Sequence, residues 1–231
     1  MATANDPAHL PAPVLTSDTA FLSRAIAQGL DTPLVALRAS LETLGQELRQ
    51  GATRLQPMRI EGVLGEFERL GKNVRQLLEY ATPPAIHALE CSLEEIVHAA
   101  RAPLTPELRE RVACARIEPG AVLVVDGPLL AACLRRLLEN ALEAGSGPVL
   151  VVARREGTRT SFSVLDESGA DAFGPEWQPT PFLTTKPNHI GLGLALTQRD
   201  VALLGGRLEF LRNPGGETCV RMTFETTERV R

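Results

Sequence analysis

The chain has 231 residues, 44% hydrophobic and 23% charged, with a formal net charge of -4. That length allows one large domain or two modest ones, and the apolar content supports a real core. The mild acidity argues against nucleic acid or an acidic membrane as a principal partner, and scarce aromatics beside plentiful Ala, Leu and Arg favour helices over an all-β sandwich. Cys91, Cys114, Cys133 and Cys219 form no C-x-x-C pair and have no histidine at ligand spacing, so they read as buried thiols rather than zinc ligands. The first residues have neither the basic start nor the apolar run of a secretory signal, and no window approaches ~20 apolar residues. The expectation is a cytoplasmic, reduced protein with no membrane segment of its own.

Residues 1–16 are rich in Ala, Pro and Thr without apolar periodicity and read as a flexible arm. Thr16, Ser17 and Asp18 are N-cap candidates for a long helix whose stripe is Leu22, Ile26, Leu30, Leu34, Leu37, Leu41, Leu44 and Leu48. Gly51 is placed to end it. Pro57 suits the first turn of a second helix, in which Ile60, Val63, Phe67, Leu70, Val74, Leu77 and Ala81 alternate three and four apart. One hairpin cannot cover both stripes, so the spacing predicts a hairpin at 17–82 that pairs with a second copy into a four-helix bundle. Pro83 and Pro84 stop the second helix, and 83–90 reads as a linker.

The pattern then turns to mixed α and β. Helices are predicted at 93–102, 129–144 and 192–204, and strands at 113–117, 121–125, 149–154, 160–165, 207–211 and 218–223. The order predicts an α+β domain over 91–228, an antiparallel or mixed sheet covered on one face by helices.

Three motifs in this second half carry chemistry. Leu-Leu-Glu-Asn-Ala-Leu-Glu-Ala at 137–144 puts Asn140 on a helix, Val-Leu-Asp-Glu-Ser-Gly at 164–169 puts Asp166 at a strand end, and Pro-Phe-Leu-Thr-Thr-Lys-Pro at 181–187 precedes Gly-Leu-Gly-Leu-Ala-Leu at 191–196. In that order they resemble the N-box, D-box, F-box, ATP lid and G2-box of bacterial two-component histidine kinases, in the nitrogen-regulation style. The resemblance implies a histidine-kinase and gyrase-type α/β sandwich that binds ATP and Mg²⁺. It implies that Asn140 holds the metal and Asp166 the adenine amino group. It implies further that Gly169, Thr185, Lys186, Gly191, Gly193, Leu194 and Thr218 line the nucleotide. Neutral amide oxygens suit Mg²⁺ when phosphates already supply the charge, and N–H groups at a helix start suit phosphate. The family usually shows Asp-x-Gly-x-Gly; here Ser168 and Ala170 replace those glycines, and His189 stands where the lid often has another.

The departures lie upstream. The family places its phospho-accepting histidine on the first hairpin helix, in a pattern like His-Glu-Leu-Arg-Thr-Pro-Leu. The matching residues here are Gln28-Gly-Leu-Asp-Thr-Pro-Leu34, so Gln28 occupies the acceptor position and Gly29 that of the acidic neighbour. A carboxamide nitrogen is too poor a nucleophile to form a phosphoramidate. Thr32 matches the polar residue that orients water in phosphatase action, though it also merely precedes a helix-kinking proline. His9, His87, His98 and His189 all lie off the hairpin. Gyrase-type relatives carry a water-activating glutamate four residues before the asparagine; Arg136 stands there.

The first expectation is a regulator that binds ATP and Mg²⁺, forms a homodimer or a heterodimer with an active histidine kinase, and docks a response regulator receiver domain. A second is a kinase acting in trans on a partner's histidine. A third is a scaffold with a vestigial pocket, and a fourth takes Gln28 as a replacement for histidine in an active kinase.

Overall fold

Leucines three and four residues apart sustain a helix, and in the computed structural model α1 spans Thr19–Arg49 and α2 spans Pro57–Ala81. The structure describes residues 19–49, 57–167, 177–186, 189–212 and 217–225. The arm expected at 1–16, the stop at Gly51 and the displaced Gly169 lie outside them. Pro33 sits inside α1 without ending it. The carbonyl four residues back, against which the proline ring presses and which loses its N–H partner, belongs to Gly29.

The chain forms two compact units, 1–73 and 74–231, which divide within α2. In the first, Leu41 of α1 is 51% exposed and Phe67 of α2 is 63% exposed, both on the predicted stripes. No described helix is long and apolar enough to cross a membrane.

The second unit opens with a two-stranded ribbon, β1 (Leu89–Ser92) against β3 (Val122–Val125), antiparallel with Leu89 opposite Val125. The span expected as a linker therefore ends in a strand, Leu89 and Glu90 lying on β1. Helix α3 (Leu93–Arg101) starts with a reciprocal capping box: Glu95 N–H donates to Ser92 Oγ at 3.1 Å and Ser92 N–H donates to Glu95 Oε2 at 2.9 Å. A short helix missed from the sequence, α4 (Pro106–Glu110), has Thr105 as cap and proline in its first turn.

Helix α5 (Gly127–Ala144) begins two residues before its predicted start because Asp126 caps it, accepting from Leu129 N–H at 3.0 Å. The other oxygen of Asp126 accepts from His87 N–H at 2.9 Å, which ties the residues before β1 to the helix start. Gly127 lets α5 approach β1: a Cβ there would stand 2.7 Å from Cys91 Sγ.

A five-stranded mixed sheet follows, in the order β2 (Val112–Ile117), β4 (Val149–Glu156), β5 (Arg159–Asp166), β7 (Thr218–Glu225), β6 (Gly206–Arg212), with only β2 and β4 parallel. Side chains alternate between its faces. Val149, Val151, Ala153, Phe162, Val164, Met222 and Phe224 join the core with Leu130, Leu134, Leu137 and Leu138 of α5. Ser161 and Ser163 point the other way, where Arg221 Nε donates to Ser163 Oγ at 3.1 Å. Helix α6 (Gly193–Leu203) packs on α5 and β6 and completes the helical layer.

The cysteines are not uniformly buried. Cys133 and Cys219 are, Cys91 is half-buried, and Cys114 is exposed on β2. Burial among apolar groups pushes the Cys133 thiol up from 9.0 to about 12. A group that ionises later in the folded chain stabilises it fully below the unfolded value and loses that contribution as pH rises through the folded one. Replacing Cys133 with Val should therefore flatten the alkaline loss of stability between pH 9 and about 12, read by urea unfolding at stepped pH. An identical slope in the variant would refute this assignment.

Candidate functional site

The last turns of α5 carry two polar side chains that meet the segment between β5 and α6. Lys186 Nζ donates to Asn140 Oδ1 at 2.7 Å and reaches the Asn140 carbonyl at 3.3 Å. The same ammonium pairs with Glu143 Oε2 at 3.1 Å, and His189 Nε2 lies 3.6 Å from that oxygen. Glu143 carries no signal of its own in the sequence, and His189 stands there only in place of a lid glycine; the structure brings both to the contact that Lys186 makes with Asn140. The spacing signal was available, since Glu143 lies three residues past Asn140 on the same helix, one turn along.

The segment is shaped by two unusual backbone positions. Gly191 has φ +70°, and a Cβ there would stand 2.7 Å from the carbonyl carbon of Phe182. Phe182 itself has φ +65° and donates its N–H to the Gly191 carbonyl at 3.1 Å. Its ring meets Tyr80 of α2 edge-on, centroids 5.7 Å apart, within a small apolar cluster of Ile190, Leu192 and Leu196. Gly193 then opens α6; a Cβ at Gly193 would meet nothing within 4 Å, and no side chain caps the helix start. The N–H groups of Gly193 and Leu194 are thus in the first turn of the helix.

Asp166 ends β5, buried, and faces Thr218, the first residue of β7, across the ladder. Thr185 is exposed next to Lys186. Gln28 and Thr32 lie one turn apart on α1, in the first unit. Among the expected site residues, the structure joins Asn140 to Lys186, Gly191 to the segment before Lys186, and Asp166 to Thr218.

Arg136, where gyrase-type relatives have a glutamate, is engaged elsewhere. Asp200 of α6 is only 1% exposed and accepts from Arg136 Nη1 at 2.8 Å and from Arg199 Nη2 at 2.7 Å. Arg136 Nη2 also donates to Glu79 Oε2 at 2.8 Å, and Arg199 Nη1 donates to the carbonyls of Glu79 at 2.7 Å and Tyr80 at 3.0 Å. This charged cluster caps the C-terminal turn of α2 with two guanidinium groups, the cation end that a helix C-terminus favours. Nothing in the local sequence pattern announces it, because its members are up to 120 residues apart.

Two stability effects follow. Asp200→Ala leaves two largely buried guanidinium groups without their shared carboxylate and should cost about 3–5 kcal/mol in urea unfolding. Gly191→Ala combines left-handed strain with a backbone clash and should cost about 1–3 kcal/mol or displace the 181–186 segment, a thermal-unfolding measurement. A change of less than ~0.5 kcal/mol in either variant would contradict the corresponding contact geometry.

Residues 125–228 match the family described as histidine kinase-, DNA gyrase B-, and HSP90-like ATPase. Over 205 residues the chain is 26% identical to the C4-dicarboxylate transport sensor protein DctB of Rhizobium meliloti, covering 85% of this chain and 33% of that protein. The fold is similar to that of the histidine kinase ThkA solved in complex with the response regulator protein TrrA, with TM-score 0.71 at 18% identity, over 93% of this chain and 64% of that one. The Acinetobacter baumannii histidine kinase AdeS gives TM-score 0.64 at 16% identity, over 86% of this chain and 98% of that one. The chain spans a third or less of the length of the first curated relatives it matches.

Proposed function

We propose, from the match of residues 125–228 to the histidine kinase-, DNA gyrase B- and HSP90-like ATPases and from the likeness to a sensor protein, that the protein is an ATP-binding regulator of two-component signalling. In this reading 91–228 is the nucleotide domain and 17–82 the dimerisation hairpin. Its own hairpin lacks the phospho-accepting histidine, and it acts on a partner kinase or a response regulator receiver domain. The observation that carries the reading is the pairing of Asn140 with a cation at 2.7 Å, beside a helix start left without a side-chain cap.

The residues present fit the nucleotide and its metal. Asn140 Oδ1 is already an acceptor for a cation, so its chemistry suits Mg²⁺. Asp166, buried at a strand end, would accept a hydrogen bond from the adenine amino group, with the Thr218 hydroxyl beside it. The N–H groups of Gly191, Gly193 and Leu194 would face phosphate oxygens, with Lys186 and Thr185 on the same side. The open space at Gly193 is room that a side chain would take from a phosphate. Bound ATP would supply a transferable γ-phosphoryl group whose charge the metal spreads.

Two features support the rest of the reading. Gln28 offers no nucleophile, so any transfer needs a histidine on another chain. Leu41 and Phe67 leave large apolar surface on the helical unit, which a second hairpin, of this chain or of an active kinase, would cover. The retained Asn140–Lys186 pair also favours the second reading, a kinase that phosphorylates a partner's histidine in trans.

Incubation with γ-labelled ATP alone should leave the protein unlabelled. Label appearing only on an added hairpin that carries a histidine would select the trans kinase, and Gln28→His should restore self-labelling if the remaining machinery is intact. Asn140→Ala should abolish Mg²⁺-ATP binding in calorimetry without altering the oligomeric state in ultracentrifugation. Unchanged affinity in that variant would overturn the metal assignment, and absence of ATP binding in the unaltered protein would leave only the scaffold reading.

A further inference from the structure

The ammonium of Lys186 stands at the oxygen that the preceding reading gives to a metal ion. It contacts Asn140 Oδ1 at 2.7 Å, the Asn140 carbonyl at 3.3 Å and Glu143 Oε2 at 3.1 Å. Mg²⁺ requires close, near-octahedral oxygen ligands, so a metal sharing Oδ1 with this ammonium would sit only about 4 Å from it. Both would draw on one amide oxygen. Glu143 is the carboxylate that pairs with this ammonium. Lysine is a compact cation on a flexible stem and can leave such a position at small cost.

The same carboxylate holds both flanks of the loop. Lys186 reaches Glu143 from the preceding side, and His189 Nε2 lies 3.6 Å from the same oxygen on the following side. The loop is further fixed by Phe182 N–H to the Gly191 carbonyl at 3.1 Å and Leu183 N–H to the Thr180 carbonyl at 3.2 Å. Lys186 therefore cannot leave Asn140 and Glu143 without freeing the ties that its ammonium makes between this side of the loop and α5.

We infer that Lys186 is a resident cation at the metal position: it and a divalent metal exclude one another at Asn140 Oδ1, and in the metal-free protein this contact latches the 181–186 segment to α5. The inference rests on the reading of Asn140 as the metal ligand. Arrival of Mg²⁺ with nucleotide replaces the ammonium and releases Lys186 toward the phosphates, so metal binding and loop position are one equilibrium. The negative coupling is reciprocal: whatever holds Lys186 in place weakens the metal, and the reverse.

Two measurements on the full chain test this, with Lys186→Met and Glu143→Gln as variants and circular dichroism to confirm that each folds. Without metal or nucleotide, amide hydrogen exchange over 180–186 should quicken roughly fivefold in both variants, the scale of one partly exposed ion pair. In calorimetry with ADP, the ratio of affinities with Mg²⁺ and with EDTA should rise about fivefold or more in Glu143→Gln, which loosens the ammonium at Asn140 yet keeps it for the phosphates, relative to the unaltered protein. Unchanged exchange overturns the latch. An unchanged ratio overturns the exclusion and leaves the nucleotide reading standing. Failure of every protein to bind ADP in either condition overturns the nucleotide reading and the exclusion together, while the exchange data still judge the latch.

Discussion

Helix α5 buries Leu130, Leu134, Leu137 and Leu138 against the apolar face of the sheet, and the rest of the second unit is arranged around that burial. α3 packs along one side of it and α6 along the other, while the β1–β3 ribbon approaches its start through Gly127. Because the leucines recur at helical spacing, the residues between them must face away from the sheet. Arg136, Asn140 and Glu143 are among those residues. The hydrophobic contact that stabilises the domain thus also decides which polar side chains are presented to α6 and to the loop before it.

Two charged arrangements hang on that helix and differ in kind. Around Asp200 the carboxylate is almost fully buried and satisfied by two guanidinium groups, so it resists screening and tolerates no missing partner. Around Glu143 the groups are a third exposed, with the Lys186 side chain at 30%, so the contact is weak and exchangeable. A fixed clamp joins α5, α6 and the end of α2; a loose one joins α5 to the loop. The division is one of burial: rigid where the helices meet, labile where the loop meets α5.

The same contrast bears on Arg136. In gyrase-type relatives the residue at its position activates water, and an arginine cannot do so. Here it spends its donors on Asp200 and Glu79, which makes it a packing residue between α5, α6 and the end of α2. Gln28 lies on α1, in the other compact unit.

Long elements were legible in the sequence because each is announced by a local repeat. The leucine spacing of α1 and α2, the apolar alternation of β4 and the helical run of α5 need no knowledge of the rest of the chain. β1 is only four residues long, too short for an alternation to register, and exists because β3 pairs with it. α4 carries a local signal, Thr105 before Pro106, but is too short for a periodic one. The motif order at Asn140, Asp166, Lys186, Gly191 and Gly193 was likewise visible from residue types alone. What only the tertiary structure decided is who meets whom: Lys186 on Asn140 across 46 positions, Arg136 on Asp200 across 64, Cys114 exposed while Cys133 is sealed. Periodicity is a property of neighbouring residues, whereas these contacts depend on how α5, α6 and the sheet pack, which no single segment encodes.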